Sequence, residues 1–304
     1  MHRVLLVVNP GARRAARKED AACAAFAAAG VAVDVARTTA PGDATRLAAA
    51  VASARGASDA PDAVFTLGGD GTAMEVVGAL AGAPVPIGIL PGGTGNLIAR
   101  TLGTPLGVAR AVRALLDGDV AHVDLGTVRA AGSAPRHFAF AAGVGIDARM
   151  IEDTPARLKR RLGVLAYALT AGRAVLAGEH FPVRVVVDGE EIRRDAVAVM
   201  IVNFGTVLGE LLQFGPGIHH DDGRLDLCLF CPRTVADAVR VLWRLSRKDF
   251  RPDDALVYRP GTHFIVEPLV PRAAQADGEL LGQTPIEVRV VPRGARLLVP
   301  RPAA

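Results

Sequence analysis

The sequence predicts a chain of α/β plus β class: a doubly wound α/β domain over the first 120 or so residues, then a mostly antiparallel β domain. Three observations carry this reading. Before residue 122, short apolar runs alternate with alanine-rich helix-forming stretches, the βαβα rhythm of a parallel sheet with helices on both faces. Beyond it, β-like runs follow one another with turn residues between them. A chain of 304 residues, half hydrophobic and 22% charged, is long enough for two cores.

In the first part, "RVLLVV" is an apolar strand that stops at Asn9-Pro10. "ARRAARKEDAACAAFAAAG" follows as a helix, with Gly30 placed to end it. "VAVDVART" is the second strand. "GDATRLAAAVASARG" is the second helix, with Asp43 near its start and Gly56 at its close. "DAVFTL" and "TAMEVVGALAG" give the third strand and helix, "VPIGIL" the fourth strand, and a further helix begins near Asn96. In such sheets ligands bind at the carboxyl ends of the strands. "NPGARR", "GGDGT" and "LPGGTGN" all sit at strand carboxyl ends and are expected on one rim.

In the second part, the β-like runs are "HVDLGTVRA", "RHFAFAAGVG", "VRVVVDG", "EEIRRDAVAVMIVNF", "GRLDLCLF", "HFIVEP", "IEVRVVP" and "ARLLVP". Asp188-Gly189 between two extended runs reads as a hairpin turn. Helical stretches are expected at 154–178 and 233–248. Cys228 and Cys231 form a C-x-x-C inside a strand, so their side chains point to opposite faces and read as two buried thiols rather than a redox pair. Three cysteines argue against a disulfide framework and for a reducing compartment. No signal peptide is visible. The uncharged stretch 76–99 is broken by Pro84, Pro86, Pro91 and six glycines, so it is no spanning helix. The net charge of +4 suits anionic ligands or an anionic membrane surface.

Two glycine loops carry the chemistry. In "TLGGDGTAMEVV", Gly68 and Gly69 allow close backbone approach, and Gly71 and Thr72 lead into a helix N-terminus that favours an anion. Asp70 is out of place beside a phosphate unless a divalent cation lies between them or it orients a hydroxyl. In "LPGGTGN", Gly92, Gly93 and Gly95 again permit close approach, Thr94 offers a hydroxyl, and Asn96 either caps the next helix or binds a ligand. The spacing is neither a Walker A loop nor G-x-G-x-x-G.

Taken together, "VVNPGARR", "TLGGDGTAMEVV" and "GILPGGTGNLIARTLG" resemble, in order, the loops of the diacylglycerol kinase catalytic-domain family, which includes sphingosine and ceramide kinases and soluble bacterial lipid kinases. Downstream, "TPARLKRRLGVLAYAL" resembles its basic helix, "HHDDGRLDLCLF" its Asp-Gly turn, and "ADGELLG" its late D-G-E, so nearly the whole chain is covered. GGDGT alone is shared with NAD kinases; the full set is far more specific.

The resemblance implies an N-terminal doubly wound nucleotide-binding domain, residues 1–122 completed by 295–304, and a C-terminal antiparallel β-sandwich-like lipid-binding domain, residues 123–294, with the active site in the cleft between them. It implies transfer of the γ-phosphate of ATP to a lipid hydroxyl, with diacylglycerol the leading acceptor. Asn9, Thr38 or Thr39, Gly68, Gly69, Asp70, Gly71, Thr72, Gly93, Thr94, Gly95 and Asn96 would hold ATP, and Arg160 would contact phosphate. Asp70 and Asp124 would reach Mg²⁺ through water, Asp222 would help bind a second, structural Mg²⁺, and Glu279 would be the general base. The implied partners are the lipid and an anionic membrane surface met peripherally from the cytoplasm, the latter through the basic run Arg157, Lys159, Arg160 and Arg161; no nucleic acid is implied, and a homodimer stays open.

The chain departs from the family in places. Its first loop lacks the Ser of N-P-x-S-G, and Arg13, Arg14 or Arg17 would supply the positive charge there. "LIAR" stands where bacterial diacylglycerol kinases often have D-F-A-R, and Asp147 faces either a lipid head group or the protein interior. Kinases of another lipid or isoprenoid-like alcohol, a NAD kinase, and a non-catalytic nucleotide or lipid sensor remain as alternatives. His219-His220 is not read as a zinc site, because adjacent histidines diverge in any regular element.

Overall fold

The computed structural model describes residues 1–12, 18–54, 60–145, 177, 179–207 and 212–301. The chain forms two compact units, one of residues 1–123 with 293–304 and the other of residues 124–292.

The first unit contains β1 (Arg3–Val8), α1 (Glu19–Ala28), β2 (Ala32–Arg37), α2 (Asp43–Ser53), β3 (Ala63–Gly68), α3 (Asp70–Ala79), β4 (Ile87–Pro91), α4 (Leu97–Thr101) and α5 (Val108–Leu116). Strands β2, β1, β3 and β4 lie side by side, all parallel. On one face, Val4, Leu6, Val8, Phe65 and Leu67 form a core with Phe26 of α1 and Val112 and Leu115 of α5. Val7, Val64 and Thr66, which point the other way, are also buried, as a sheet covered on both sides requires. Gly30, with φ of +71°, ends the segment after α1 in the conformation that glycine tolerates best. The order β2-β1-β3 means that the chain leaves β1 to one side and returns on the other. The carboxyl ends of β1 and β3 are therefore a topological switch point, where open α/β sheets bind ligands.

The second unit holds β6 (Arg136–Phe138), β7 (Ala141–Gly145), β8 (Phe181–Val187), β9 (Glu190–Ala196), β10 (Ala198–Val202), β11 (Thr206–Val207), β12 (Leu212–Gln213), β13 (Leu225–Phe230), α6 (Val235–Ser246), β14 (Leu256–Gly261), β15 (His263–Pro268), β16 (Ala273–Ala276) and β17 (Glu279–Gln283). Strands β5 (Asp119–Ala130) and β18 (Ile286–Val299) contribute residues to both units. One sheet has the order β14-β13-β10-β7-β16-β17, antiparallel throughout. Opposite it, β15 pairs with β8 and with residues 286–289 of β18, and β8 pairs with β9, again antiparallel. Val144, Val199, Ile201 and Leu227 from the first sheet meet Val183, Val185, Phe264 and Val288 from the second in a shared core, which makes the unit a β-sandwich.

The expected hairpin at Asp188-Gly189 forms, with Val187 opposite Glu190 and φ values of +49° and +92° at the two turn residues. Two expected single strands are in fact pairs. "RHFAFAAGVG" divides into β6 and β7, and "EEIRRDAVAVMIVNF" into β9 and β10, which belong to opposite sheets. The third helix starts at Asp70, two residues earlier than its apolar pattern suggests, with Gly69 as its extended N-cap. Cys228 is buried in β13, and Cys231 is buried one residue past that strand's end, in a different core cluster. Among the described residues, no helix is long and apolar enough to cross a membrane. The expected helix at 154–178 lies, but for residue 177, outside the described residues.

Candidate functional site

The two glycine loops of the first unit touch. Gly92 N–H donates to Gly68 carbonyl oxygen at 3.1 Å. A Cβ on Gly92 would lie 2.6 Å from Gly68 N, and one on Gly93 would lie 2.6 Å from Gly69 Cα. Only glycine permits backbone to meet backbone this closely. A Cβ on Gly95 would lie 2.9 Å from Asp70 Oδ2, so the second loop passes directly over the carboxylate of the first.

Asn96 fixes the second loop. It is buried, in a left-handed conformation with φ of +49°; its Oδ1 accepts from Gly93 N–H at 2.8 Å and its Nδ2 donates to Gly93 carbonyl oxygen at 3.0 Å. Thr94 and Gly95 are left exposed at the tip. Asn9, just past β1, ties the first loop to the neighbouring strand. Its backbone N–H donates to Leu67 carbonyl oxygen, and its Nδ2 donates to Thr72 Oγ1 at 2.9 Å. Gly71 is exposed beside them.

Asp70 is half-buried at the start of α3, and its Oδ1 accepts from Ile98 N–H at 3.3 Å. Burial pushes its carboxyl above the usual range, opposed by hydrogen bonds from the backbone at Ile98, Leu97 and Asn96. Among the described residues no Lys, Arg or His forms an ion pair with it. Taking a carboxylate out of water is costly, and the backbone N–H groups offset part of that cost.

Other expected nucleotide contacts are placed less directly. Thr38 N–H donates to Val8 carbonyl oxygen, which sets it at the same rim. Thr39 spends both its N–H and its hydroxyl on Asp43 Oδ2, and these bonds hold the Asp43 carboxyl far below its usual range. The N-terminus of α2 is occupied by Glu75, whose Oε2 accepts from Gly42 N–H at 3.1 Å. Lys18, which the sequence did not single out, brings its Nζ to Pro91 carbonyl oxygen at 2.6 Å, at the foot of the second loop. Its signal was position alone: it lies in the basic stretch after Asn9. Arg13, Arg14, Arg17, Asp147, Arg157, Lys159, Arg160 and Arg161 lie outside the described residues.

In the second unit, Asp124 is fully buried. Its Oδ2 accepts from Gly223 N–H at 2.6 Å, and its own N–H donates to His220 carbonyl oxygen. Asp222, the neighbour of Gly223, is exposed and accepts from Arg224 N–H at 2.9 Å. The structure therefore brings Asp124 and the turn bearing Asp222 together. Next to them, burial and then the nearby Asp222 charge push the Asp226 carboxyl up to about 6. His220 stacks on Phe204, and His219 makes no cluster with it; among the described residues no three metal-ligating side chains converge.

Glu279 opens β17, immediately after the tight turn at Asp277 and Gly278. It is exposed and ion-paired with Arg136 of β6. Asp277 is the tighter fixture. Its carboxylate accepts three backbone N–H groups, from Ala139 at 2.7 Å, Phe140 at 2.9 Å and Ala141 at 3.0 Å. The same stretch is held from the other side by Asn203, which is fully buried. Asn203 Nδ2 donates to Ala139 and Asp124 carbonyl oxygens, and its N–H donates to that of Phe140. Residues 139–141 thus couple the Asp124 turn to the D-G-E hairpin. Neither Asn203 nor Asp277 was singled out for this role; a lone polar residue ending the apolar run "AVMIVN" was the available signal for Asn203.

Both parts of the chain match known domain families. The diacylglycerol kinase catalytic domain matches residues 3–128, and the YegS C-terminal NAD kinase beta sandwich-like domain matches residues 141–299. A protein named diacylglycerol kinase from Mycobacterium tuberculosis (strain CDC 1551 / Oshkosh) is 30% identical over 84% of this chain and 80% of its own. One of the same name from Bacillus subtilis (strain 168) is 28% identical over 100% of this chain and 98% of its own. A crystal structure of a candidate diacylglycerol kinase from Bacillus anthracis str. Sterne superposes with a TM-score of 0.77 at 26% identity, covering 99% of this chain and 98% of that one. The chain spans about half the length, 54%, of one further relative, an uncharacterized protein of Synechocystis sp.. With both of its parts matched and a relative at 30% identity over most of its length, the chain belongs to the diacylglycerol kinase family of lipid kinases.

Proposed function

We propose that this protein transfers the γ-phosphate of ATP to the hydroxyl of a diacylglycerol-like lipid. The observation that carries the reading is the pair of hydrogen-bonded glycine loops at the switch point, with the Asp70 carboxylate beside them and, among the described residues, no basic side chain paired to it.

Asp70 supplies one carboxylate, and the described residues offer no cluster of three ligating side chains. That donor set fits Mg²⁺, which is held by one or two carboxylates, phosphate oxygens and water rather than by a cage of protein ligands. Bound there, the ion would neutralise charge on the transferring phosphoryl group. Asn9, Thr38, Gly68, Gly69, Gly71, Thr72, Gly93, Thr94, Gly95 and Asn96 form the proposed nucleotide cradle. Backbone N–H groups of the loops and the N-terminus of α3 would face the phosphates. Thr39 belongs to the rim through its Asp43 contacts, and Arg160 is retained as a candidate phosphate contact.

Glu279 is the proposed acceptor of the lipid hydroxyl's proton, a role worth about 10²–10⁴-fold in rate. Asp124 and Asp222 are proposed as carboxylates serving metal ions, Asp124 through water and Asp222 in a second, structural position. The protein would meet its acceptor at the surface of an anionic membrane in the cytoplasm.

The test is a labelled-ATP assay across diacylglycerol, ceramide, a sphingoid base, phosphatidylglycerol and undecaprenol. Label in the diacylglycerol product is the expected outcome. Label confined to another acceptor replaces the substrate, and label in none of them overturns the phosphotransferase reading.

A further inference from the structure

We propose that the outward face of α6 is a docking surface for an anionic lipid bilayer. The helix is two-sided. Ala238, Val241 and Leu245 are buried, the last two in a small core with Ala255 and Leu256. Roughly opposite, at the helical period of about 100° per residue, stand Val239 and Trp243, which are 55% and 63% exposed. Trp243 is the only tryptophan of the chain. The Arg247 guanidinium lies 5.4 Å from the centre of its ring, and Arg233 and Lys248 are exposed at the two ends of the helix.

The charges around this face are weighted toward cations, although Asp254, next to Asp253, is exposed and forms no ion pair among the described residues. Asp237 is ion-paired with Arg240, Asp249 with Arg244 and Arg251, and Asp253 with Arg240 and Arg244. Arg233, Arg247 and Lys248 form no ion pair among the described residues. The face therefore combines an exposed indole, an aliphatic neighbour and the Arg247 guanidinium, with Arg233 and Lys248 at the two ends of the helix and one carboxylate, Asp254, all without an ion pair among the described residues.

Indole rings settle at the level of lipid head groups, where one edge is apolar and the other wet. Clustered Lys and Arg add about 1 kcal/mol each near an anionic surface. An anionic bilayer satisfies both groups at once. The inference rests on the proposed encounter with an anionic membrane and assigns it a surface; its test needs no nucleotide and no turnover, so its failure is distinguishable from failure of the phosphoryl-transfer reading.

Trp243 is its own probe. Its fluorescence is followed in the intact, unmodified protein as vesicles of phosphatidylcholine, with or without phosphatidylglycerol, are added. The expected result is a blue-shifted emission with phosphatidylglycerol vesicles only, quenched by brominated acyl chains and reversed by high salt. Replacing Arg247 and Lys248 together with Gln is expected to weaken vesicle binding by about 25-fold, roughly fivefold per charge. Cosedimentation with vesicles while Trp243 emission stays unmoved overturns the assignment, because another surface then binds. A blue shift that follows protein concentration without vesicles also overturns it, in favour of self-association. Absence of any vesicle binding overturns it too.

Discussion

Asp70 and Glu279 are both carboxylates beside a glycine turn, and the protein treats them in opposite ways. Asp70 is half-buried, pushed toward its neutral form by desolvation, crossed by a second loop and paired with no cation among the described residues. Glu279 is exposed, carries an ion pair with Arg136, and sits on a hairpin that would form for purely structural reasons. The first is marked by its own surroundings, because desolvation of a half-buried carboxylate with no cation paired to it among the described residues costs stability. The second is marked only by its place in a family pattern. Asp277, two residues away, is the member of the D-G-E turn that holds the structure, through its three backbone donors.

The comparison can be broken or sharpened in order of effect. The largest change is expected for Glu279→Gln: turnover falls by about 10²–10⁴-fold, while ATP affinity and melting temperature stay near wild type. Wild-type turnover in that variant removes Glu279 from the reaction. Asp70→Asn is next, with turnover lower by about 10²–10³-fold and, in contrast, equal or higher thermal stability. The sign follows from the raised carboxyl pKa. Between the unfolded value and the folded one, the native state holds more protons than the unfolded state, so stability falls as pH rises through that window. The amide removes this dependence, and melting curves at several pH values check it; a less stable Asp70→Asn means the carboxylate is structural.

Gly93→Ala drives a methyl against Gly69 backbone, and is expected to cost about 1–3 kcal/mol together with weaker ATP binding, read by denaturant melts and calorimetry. Asp277→Asn keeps the shape but gives up charge-assisted acceptors; a loss of about 1–2 kcal/mol is expected by chemical denaturation. Smallest is Arg136→Gln, which removes an exposed ion pair worth about 0–1 kcal/mol. A large loss there would show that the D-G-E hairpin depends on the pair rather than on Asp277.

Local patterns were legible and long-range ones were not. The parallel strands, the Asp188-Gly189 hairpin and the glycine loops were readable because each depends on residues adjacent in sequence. The meeting of Gly92 with Gly68 depends on the pairing of β3 with β4, which no local rule specifies. The division of "EEIRRDAVAVMIVNF" was hidden because both strands are apolar at their junction, so the change of sheet near Val197 leaves no mark in the pattern. Asn203 was missed for a related reason: its value lies in reaching Asp124 and Ala139, residues far away in sequence. The candidate bases and metal-serving carboxylates of the second unit came from family likeness, since Asp-Gly turns are common in hairpins of every kind.

The central claim is that the two glycine loops and Asp70 together hold one Mg²⁺–ATP. The most direct measurement is calorimetric titration of ATP, with and without Mg²⁺, into the wild type and Asp70→Asn. The account predicts that Mg²⁺ tightens ATP binding to the wild type and that Asp70→Asn loses most of this gain. An equal Mg²⁺ gain in both proteins would contradict it.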